Sequence, residues 1–431
     1  MDIAPHIAAG TGADLPAGTD FVDAFVIDIN GLPRGKRLAA AEWRGAATRV
    51  GFSASALVLD ARGNAQGPLG IGTTDGDPDG FGVPVPGRVA PVPWSDAKVV
   101  QSLLSMRAND APLWFDSRQI LAETVARCAA DGLFPVVACE LEFYLVRLTP
   151  DGVPVPVSAG ARGAGHLCPQ AVEAQAPVLH DLHAALAAQG IAAGTLVSEY
   201  GPGQFEVNLP HGPDPLRAAD DAVLLRRAAQ AVAARHGMHA SFMAKPFAAH
   251  PGNGLHVHVS LVDDSGANRF GAAGGQAVLE HAVAGLQALH GESMALFAPN
   301  FSAYRRLRAG GFVAATGNWG ENSRAVAFRI PPGGASARRI EHRVAAADAS
   351  PHLVMAAILA ALHHGITGKL APCAPPAGPT DFFAALDLFA GGARLGPYLP
   401  PRFPELFVAL KRAETTDLLA TPSLREYEFY L

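Results

Sequence analysis

The segment Phe134-Pro135-Val136-Val137-Ala138-Cys139-Glu140-Leu141-Glu142-Phe143-Tyr144-Leu145 constrains the chain more than any other. Its apolar, β-branched run reads as a strand, and side chains alternate along a strand. Glu140 and Glu142 therefore share one face, while Leu141, Phe143 and Leu145 share the other. Two adjacent carboxylates in apolar surroundings repel each other and lose hydration. A divalent cation or a basic partner relieves both costs. The fold must turn this face toward a polar site, and the rest of the chain must supply the partners.

At 431 residues the chain exceeds one simple core, because domains run to ~100–200 residues. Hydrophobic residues at 49% and charged ones at 17% fit a compact fold and argue against disorder. A net charge of −6 offers no polybasic surface for nucleic acid or an anionic membrane. Cys128, Cys139, Cys168 and Cys373 form no CxxC motif and no disulfide framework, so a reducing cytoplasm is expected. Met1–Asp20 carries acids, no Lys or Arg and no apolar core, unlike a secretory signal. The longest apolar helix candidate, Leu353–Leu362, is shorter than the ~20 residues of a bilayer span.

Residues 1–18 read as a loose tail. From Phe21 to about Ser105 short strand-like runs, such as Phe21–Asp28 and Ala56–Leu59, alternate with Gly and Pro. Gly67–Trp94 reads as a turn-rich stretch. This half predicts a small β-rich domain with little helix. Beyond Asp110 the pattern changes. Spacing predicts a helix over Ser117–Ala130. A second helix has Asp214 as N-cap, Pro215 at its first position and Gly237 as its stop. A third starts at Ser350-Pro351 and runs through Leu362. Strand candidates are Gln204–Leu209, Ser241–Phe247, Leu255–Val262, Ala325–Ile330 and Arg339–Val344. Strands alternating with helices predict an α/β or α+β catalytic domain.

Three further segments behave like the opening pair. Glu199 and Glu206 bracket a glycine-rich turn that enters a strand. His256 and His258 share a strand face, as do Arg339, Glu341 and Arg343. Each alone is compatible with a solvated strand face; their co-occurrence points to one site. Carboxylate-dominated ligands with an imidazole suit Mg²⁺ or Mn²⁺ better than zinc, and five carboxylates call for at least two cations. Arg305, Arg306, Arg308, Arg324, Arg329, Arg338, Arg339 and Arg343 crowd one region, and guanidinium forks bind phosphate and carboxylate oxygens. Hard cations with clustered arginines point to phosphoryl transfer. Known phosphate loops are missing. Gly31-Leu32-Pro33-Arg34-Gly35-Lys36-Arg37 is too short for a P-loop and ends in Arg37 instead of Ser or Thr. Gly70–Gly76 misses GxGxxG.

In this order, these segments resemble the glutamine synthetase superfamily from about Phe21 to Leu431. Asn30–Lys36, Glu140-Leu141-Glu142, Glu199–Glu206 and Lys245–Ser260 carry the resemblance, with Tyr304–Leu307, Arg324–Pro331 and Arg339–Arg343. It implies an α+β fold with a small N-terminal β-grasp domain at 19–106 after the tail at 1–18. A catalytic domain with a barrel-like sheet at 107–431 follows. It implies homo-oligomeric rings, two stacked hexamers with shared active sites. It also implies ATP-dependent formation of γ-glutamyl phosphate, then attack by an amine. Roughly two or three Mg²⁺ or Mn²⁺ ions per site are implied. By motif position, Glu142, Glu199 and Glu206 match ligands of one metal, and Glu140, His256 and Glu341 ligands of another. His258, Ser260 and Arg339 match ATP contacts. Arg324 and Arg329 match groups that stabilise the transferring phosphoryl. Arg306, Arg343 and Gly252 match contacts to glutamate.

The departures bear on the amine. Glutamine synthetases carry a flap glutamate that helps deprotonate ammonium; Phe312 stands in its place. An aromatic side chain cannot take a proton, but it can wall a pocket for a carbon-bearing amine. With Trp319 and the Cys139–Leu145 strand, this resembles the γ-glutamyl-polyamine and γ-glutamyl-monoamine ligase branch. Asp60 is the candidate for the family's small-domain aspartate, which helps bind ammonium across the subunit interface; a plain turn aspartate is the alternative. The expected function is an ATP-dependent ligase joining glutamate to an organic mono- or polyamine. The alternatives are a glutamine synthetase that uses ammonia and a non-catalytic paralogue.

Overall fold

A computed structural model describes residues 15–158, 165–308, 315–379, 381–423, 426 and 429. Phe312 lies outside the described residues, as do residues 1–14 of the expected tail.

The first sheet has six strands: β1 Phe21–Ile27, β2 Pro33–Ala39, β3 Val50–Ser53, β4 Asp79–Pro91, β5 Val99–Ala108 and β6 Ala111–Pro112. Its order is β2-β1-β5-β4-β3, with β6 on β5 and the β1–β5 pair parallel. β5 and β6 run beyond the boundary expected at residue 106. Two expectations fail here. Gly67–Trp94 is turn-rich only in its first part, because β4 occupies Asp79–Pro91. A register shift between Pro84 and Val89 lets this proline-rich strand bend while pairing with β5. Ala56–Leu59 is not a strand. Ala54–Leu57 forms a 3₁₀ turn, held where the Ser55 hydroxyl donates to Asp77 at 3.0 Å.

The second sheet has nine strands: β7 Phe134–Leu148, β8 Pro154–Pro156, β9 Leu196–Ser198, β10 Gln204–Asn208, β11 His239–Ser241, β12 Leu255–Val262, β13 Trp319–Glu321, β14 Phe328–Ile330 and β15 Ile340–His342. Its order is β13-β14-β15-β12-β7-β10-β9, with β8 and β11 also on β7. The helices are α1 Ser117–Ala130, α2 Pro169–Glu173, α3 Ala176–Ala188, α4 Pro215–Arg235, α5 Gly275–Phe297, α6 Phe301–Arg308, α7 Pro351–Thr367, α8 Phe382–Ala390 and α9 Phe403–Leu419. The α+β class expected from sequence is the class observed.

Local chemistry explains the helix boundaries. Asp116 and Asp214 accept the backbone N–H of Arg118 and Arg217, capping α1 and α4. Ser350 has the N-cap backbone of α7, but its hydroxyl makes no cap bond. The strand expected over Ser241–Phe247 stops at Ser241. Beyond it, side chains replace the ladder. Ala244 N–H donates to Asp348, Lys245 N–H donates to Ser302, and Asn253 donates to the carbonyls of Ser241 and Met243.

On the side of β7 that carries Leu141 and Phe143, every residue from Pro135 to Leu145 is buried, with Phe143 against Phe242 at 5.3 Å. A buried ion network ties β4 of the first sheet to the helices α1, α4 and α7. Asp220 of α4, whose side chain is fully buried, faces Arg118 of α1 at 3.1 Å and Arg88 of β4 at 3.4 Å, and pairs with His352 of α7 at 2.8 Å. Among the described residues, no helix is long and apolar enough to cross a membrane.

Candidate active site

Strand register builds the site. Glu142 of β7 lies opposite Glu206 of β10, and Glu140 lies opposite His256 of β12. His258 lies opposite Glu341 of β15, which lies opposite Arg329 of β14. A diagonal of polar side chains thus crosses five adjacent strands on the face turned away from Leu141 and Phe143. Glu199 joins it just beyond β9, where its N–H donates to the Gln204 carbonyl at 2.8 Å.

Three overlapping clusters hold ligand atoms within 4.8 Å of one another: Glu142–Glu199–Glu206, Glu140–Glu206–His256 and Glu140–His258–Glu341. The first set matches the triad expected for one metal. In the second expected triad, Glu140 stands between the other members. His256 lies on its Glu206 side, and Glu341 lies on its His258 side. His258 is held by a different partnership. Arg339 Nε donates to His258 Nδ1 at 3.0 Å, so the Nε2 proton faces Glu140 Oε1 at 2.8 Å. This leaves His258 toward Arg339 and His256 toward the carboxylate triad.

Electrostatics test whether cations fit. Burial, then repulsion from Glu140, Glu142 and Glu199, pushes Glu206 up to about 9. Burial and the Glu142 charge push Glu199 up to about 7. These two carboxyls retain protons that a hard divalent cation would displace, and an all-oxygen triad is the donor set of such a cation. The other side behaves oppositely. Burial raises Glu140, but bonds to His256 and His258 outweigh it and hold the carboxyl well below the usual range. Glu341, also raised by burial, is brought down to about 2 by His256, His258, Arg343 and Arg329.

The arginines divide the work. Arg329 donates to Glu341 at 2.7 Å and to Asn322 at 3.1 Å, and Arg343 also pairs with Glu341. Arg306 donates to the Val344 carbonyl at 2.8 Å and is 3% exposed. The Nε atoms of Arg306, Arg329 and Arg343 are buried without an acceptor. Buried donors without partners are rare in native proteins, so oxyanions from a ligand fit them.

Two cavities flank the diagonal. One of about 480 Å³ is lined by Glu142, Glu199, Glu206 and His256 together with Gly252, Arg306, Arg324 and Arg343. A Cβ on Gly252 would lie 2.3 Å from the Ala244 carbonyl, so the loop admits only glycine there. The other cavity, about 240 Å³, is lined by Glu140, His258 and Arg339 with His211. Ser260 follows on the same β12 face and is buried.

Two expected amine-pocket residues lie apart from these cavities. Both Asp60 carboxylate oxygens are occupied within its own turn. They accept from Arg62 N–H, Asn64 N–H and side chain, and Gln66 at 2.7–3.2 Å. Trp319 sits on edge strand β13 and packs partly buried against the core. The structure also brings in residues that sequence reasoning gave no role: His166, Tyr200, Lys245 and His250 line the larger cavity. His166 and Lys245 come from irregular loops, where no periodic pattern announces which way a side chain points.

The model of the glutamine synthetase catalytic domain matches residues 115–430. The chain belongs to the glutamine synthetase family. It is 39% identical over 362 residues to the γ-glutamylputrescine synthetase PuuA of Escherichia coli K12, covering 82% of this chain and 77% of that protein. It is 30% identical over 372 residues to a glutamate–isopropylamine ligase of a Pseudomonas species, covering 83% and 80%. The ligand-free structure of GmaS matches with a TM-score of 0.83 at 25% identity, covering 96% of this chain and 97% of that one.

Proposed function

We propose that this protein is an ATP-dependent ligase that joins the γ-carboxylate of glutamate to a primary organic amine through γ-glutamyl phosphate. The observation that carries this reading is the carboxylate diagonal with an arginine-bearing cavity on either side. Phosphoryl transfer from ATP to glutamate must bring two anions together, and such a division of charge suits that task.

In this reading Arg306 and Arg343 hold the carboxylates of glutamate beside Gly252, using their free Nε donors. His258, Ser260 and Arg339 contact ATP from the smaller cavity. Arg324 and Arg329 face the charge of the transferring phosphoryl group. Mg²⁺ or Mn²⁺, bound by Glu142–Glu199–Glu206 and by Glu140–His256–Glu341, would neutralise phosphate charge. The γ-carboxylate oxygen attacks the γ-phosphorus of ATP, and ADP leaves. The amine nitrogen then attacks the acyl carbon; phosphate leaves with the carboxylate oxygen, and the nitrogen loses a proton. Phosphorylation is needed because a carboxylate has only oxide as its leaving group.

An organic amine is favoured over ammonia by two features. Phe312 stands where the family's ammonia-using members carry a glutamate, and two relatives are named for putrescine and isopropylamine. The proposal extends to two stacked hexameric rings in the cytoplasm, where four free thiols are at home. Phosphate release with ATP, Mg²⁺, glutamate and a panel of amines tests it. Higher kcat/KM for a carbon-bearing amine than for ammonia is expected. Ammonia as the best substrate would make the protein a glutamine synthetase. No turnover with any amine would make it a non-catalytic paralogue.

A further inference from the structure

His166 and Tyr200 stand at the larger cavity, outside the sets assigned above to metal, ATP and glutamate. Their rings stack with centroids 4.2 Å apart and planes 6° from parallel. Backbone anchors on the end of β9 hold this plate. Leu167 N–H donates to the Ser198 carbonyl at 2.9 Å, and Cys168 N–H donates to the Ser198 hydroxyl at 2.8 Å. That hydroxyl donates to the Gly165 carbonyl at 3.0 Å. On the Tyr200 side, Gly201 presses on the Tyr144 hydroxyl so closely that a Cβ would lie 1.9 Å from it. These two turns position the plate. Tyr200 stays 51% exposed.

Its inner edge adjoins the carboxylates, with His166 Nδ1 3.5 Å from Glu199 Oε2. We infer that the carbon-bearing part of the amine lies on this plate, making His166 and Tyr200 specificity-determining residues. The inference rests on the ligase reading above and names the surface that reading lacks. The attacking nitrogen must reach the acyl carbon beside the carboxylates. Its carbon chain then extends outward along the edges and outer faces of the stacked pair, whose facing surfaces cover each other. Aromatic faces attract alkyl groups, and they attract a distal ammonium through the ring quadrupole. Ammonia has no carbon chain and gains nothing from the plate, so contact alone separates the two substrates.

The test measures kcat/KM for n-propylamine and for ammonium chloride in the wild-type protein and in Tyr200→Ala, His166→Ala and Tyr200→Phe. Loss of contact with even one methylene changes discrimination by roughly 10-fold or more, so the propylamine-to-ammonia ratio should fall at least that far in both alanine variants. Tyr200→Phe keeps the ring and should keep the ratio; this separates lost contact from a misfolded turn. A wild-type preference for propylamine that survives in both alanine variants would overturn the plate and leave the ligase reading standing. A wild-type preference for ammonia would overturn the organic-amine reading, and the plate with it, while leaving ATP-dependent ligation standing.

Discussion

Glu341 is 1% exposed and sits between two guanidinium groups, Arg329 and Arg343, that are themselves largely buried. Removing one partner from a buried pair costs ~3–5 kcal/mol, because the charge left behind has neither water nor counter-ion. Glu341→Ala should therefore melt at a lower temperature and lose amide synthesis. Glu341→Gln restores volume and an acceptor but no counter-charge, so it should recover only part of the melting temperature while leaving Mn²⁺ affinity impaired. Calorimetry and Mn²⁺ titration separate these effects, and wild-type turnover in the alanine variant would break the assignment. The carboxylate cluster makes a second prediction at this scale. Glu206 at about 9 and Glu199 at about 7 lie above their ordinary 4.5. The cation-free folded state thus holds protons that the unfolded chain releases. Their stabilising contribution is complete below 4.5 and is lost as pH rises through about 7 to 9. Melting curves in EDTA should fall across that range, and Mg²⁺ should flatten the fall and release protons. The same slope with and without Mg²⁺ would contradict the account. The carboxylates and β12 imidazoles were legible in sequence because strand alternation fixes which side chains share a face. His166 was not, since its turn is set by bonds to Ser198, about thirty residues away in sequence.

At the scale of elements, the Glu199–Glu206 turn carries two of the three clustered carboxylates and one ring of the aromatic plate. Gln204 braces it. Its amide oxygen accepts from Gly201 N–H at 3.0 Å, and its amide nitrogen donates to the Gly252 carbonyl at 3.0 Å. Gly201→Ala would drive a Cβ into the buried Tyr144 side chain, and overpacking of this kind costs ~1–3 kcal/mol. The variant should melt lower and bind Mn²⁺ more weakly, as titration would record; unchanged affinity would show that the turn does not position Glu199. Two helix starts were readable in advance, because Asp214 and Pro351 are signals that a local rule can find; Ser117–Ala130 was readable from spacing, and its Asp116 cap appears only in the structure. β4 was not readable, because its prolines and glycines carry turn signals and only pairing with β5 makes it a strand. The loop after Ser241 failed the opposite way. Its apolar residues look like a strand, but Asn253, Asp348 and Ser302 satisfy its backbone instead.

The whole molecule joins a small sheet to a large one and gathers the carboxylate diagonal on the large one. We propose a division of the chain near residue 107, although Asp220 binds β4, α1, α4 and α7 into one network. The cavities on the two sides of the diagonal share no lining residue. A reaction that brings one anion from each side suits that plan, and a hydrolase would need only one. The decisive measurement follows the oxygen. Glutamate labelled with oxygen-18 in its γ-carboxylate is turned over with ATP, Mg²⁺ and n-propylamine, and the inorganic phosphate is weighed by mass spectrometry. The account predicts about one labelled oxygen in phosphate for each amide formed, as a γ-glutamyl phosphate intermediate demands. Amide formed with unlabelled phosphate would contradict it.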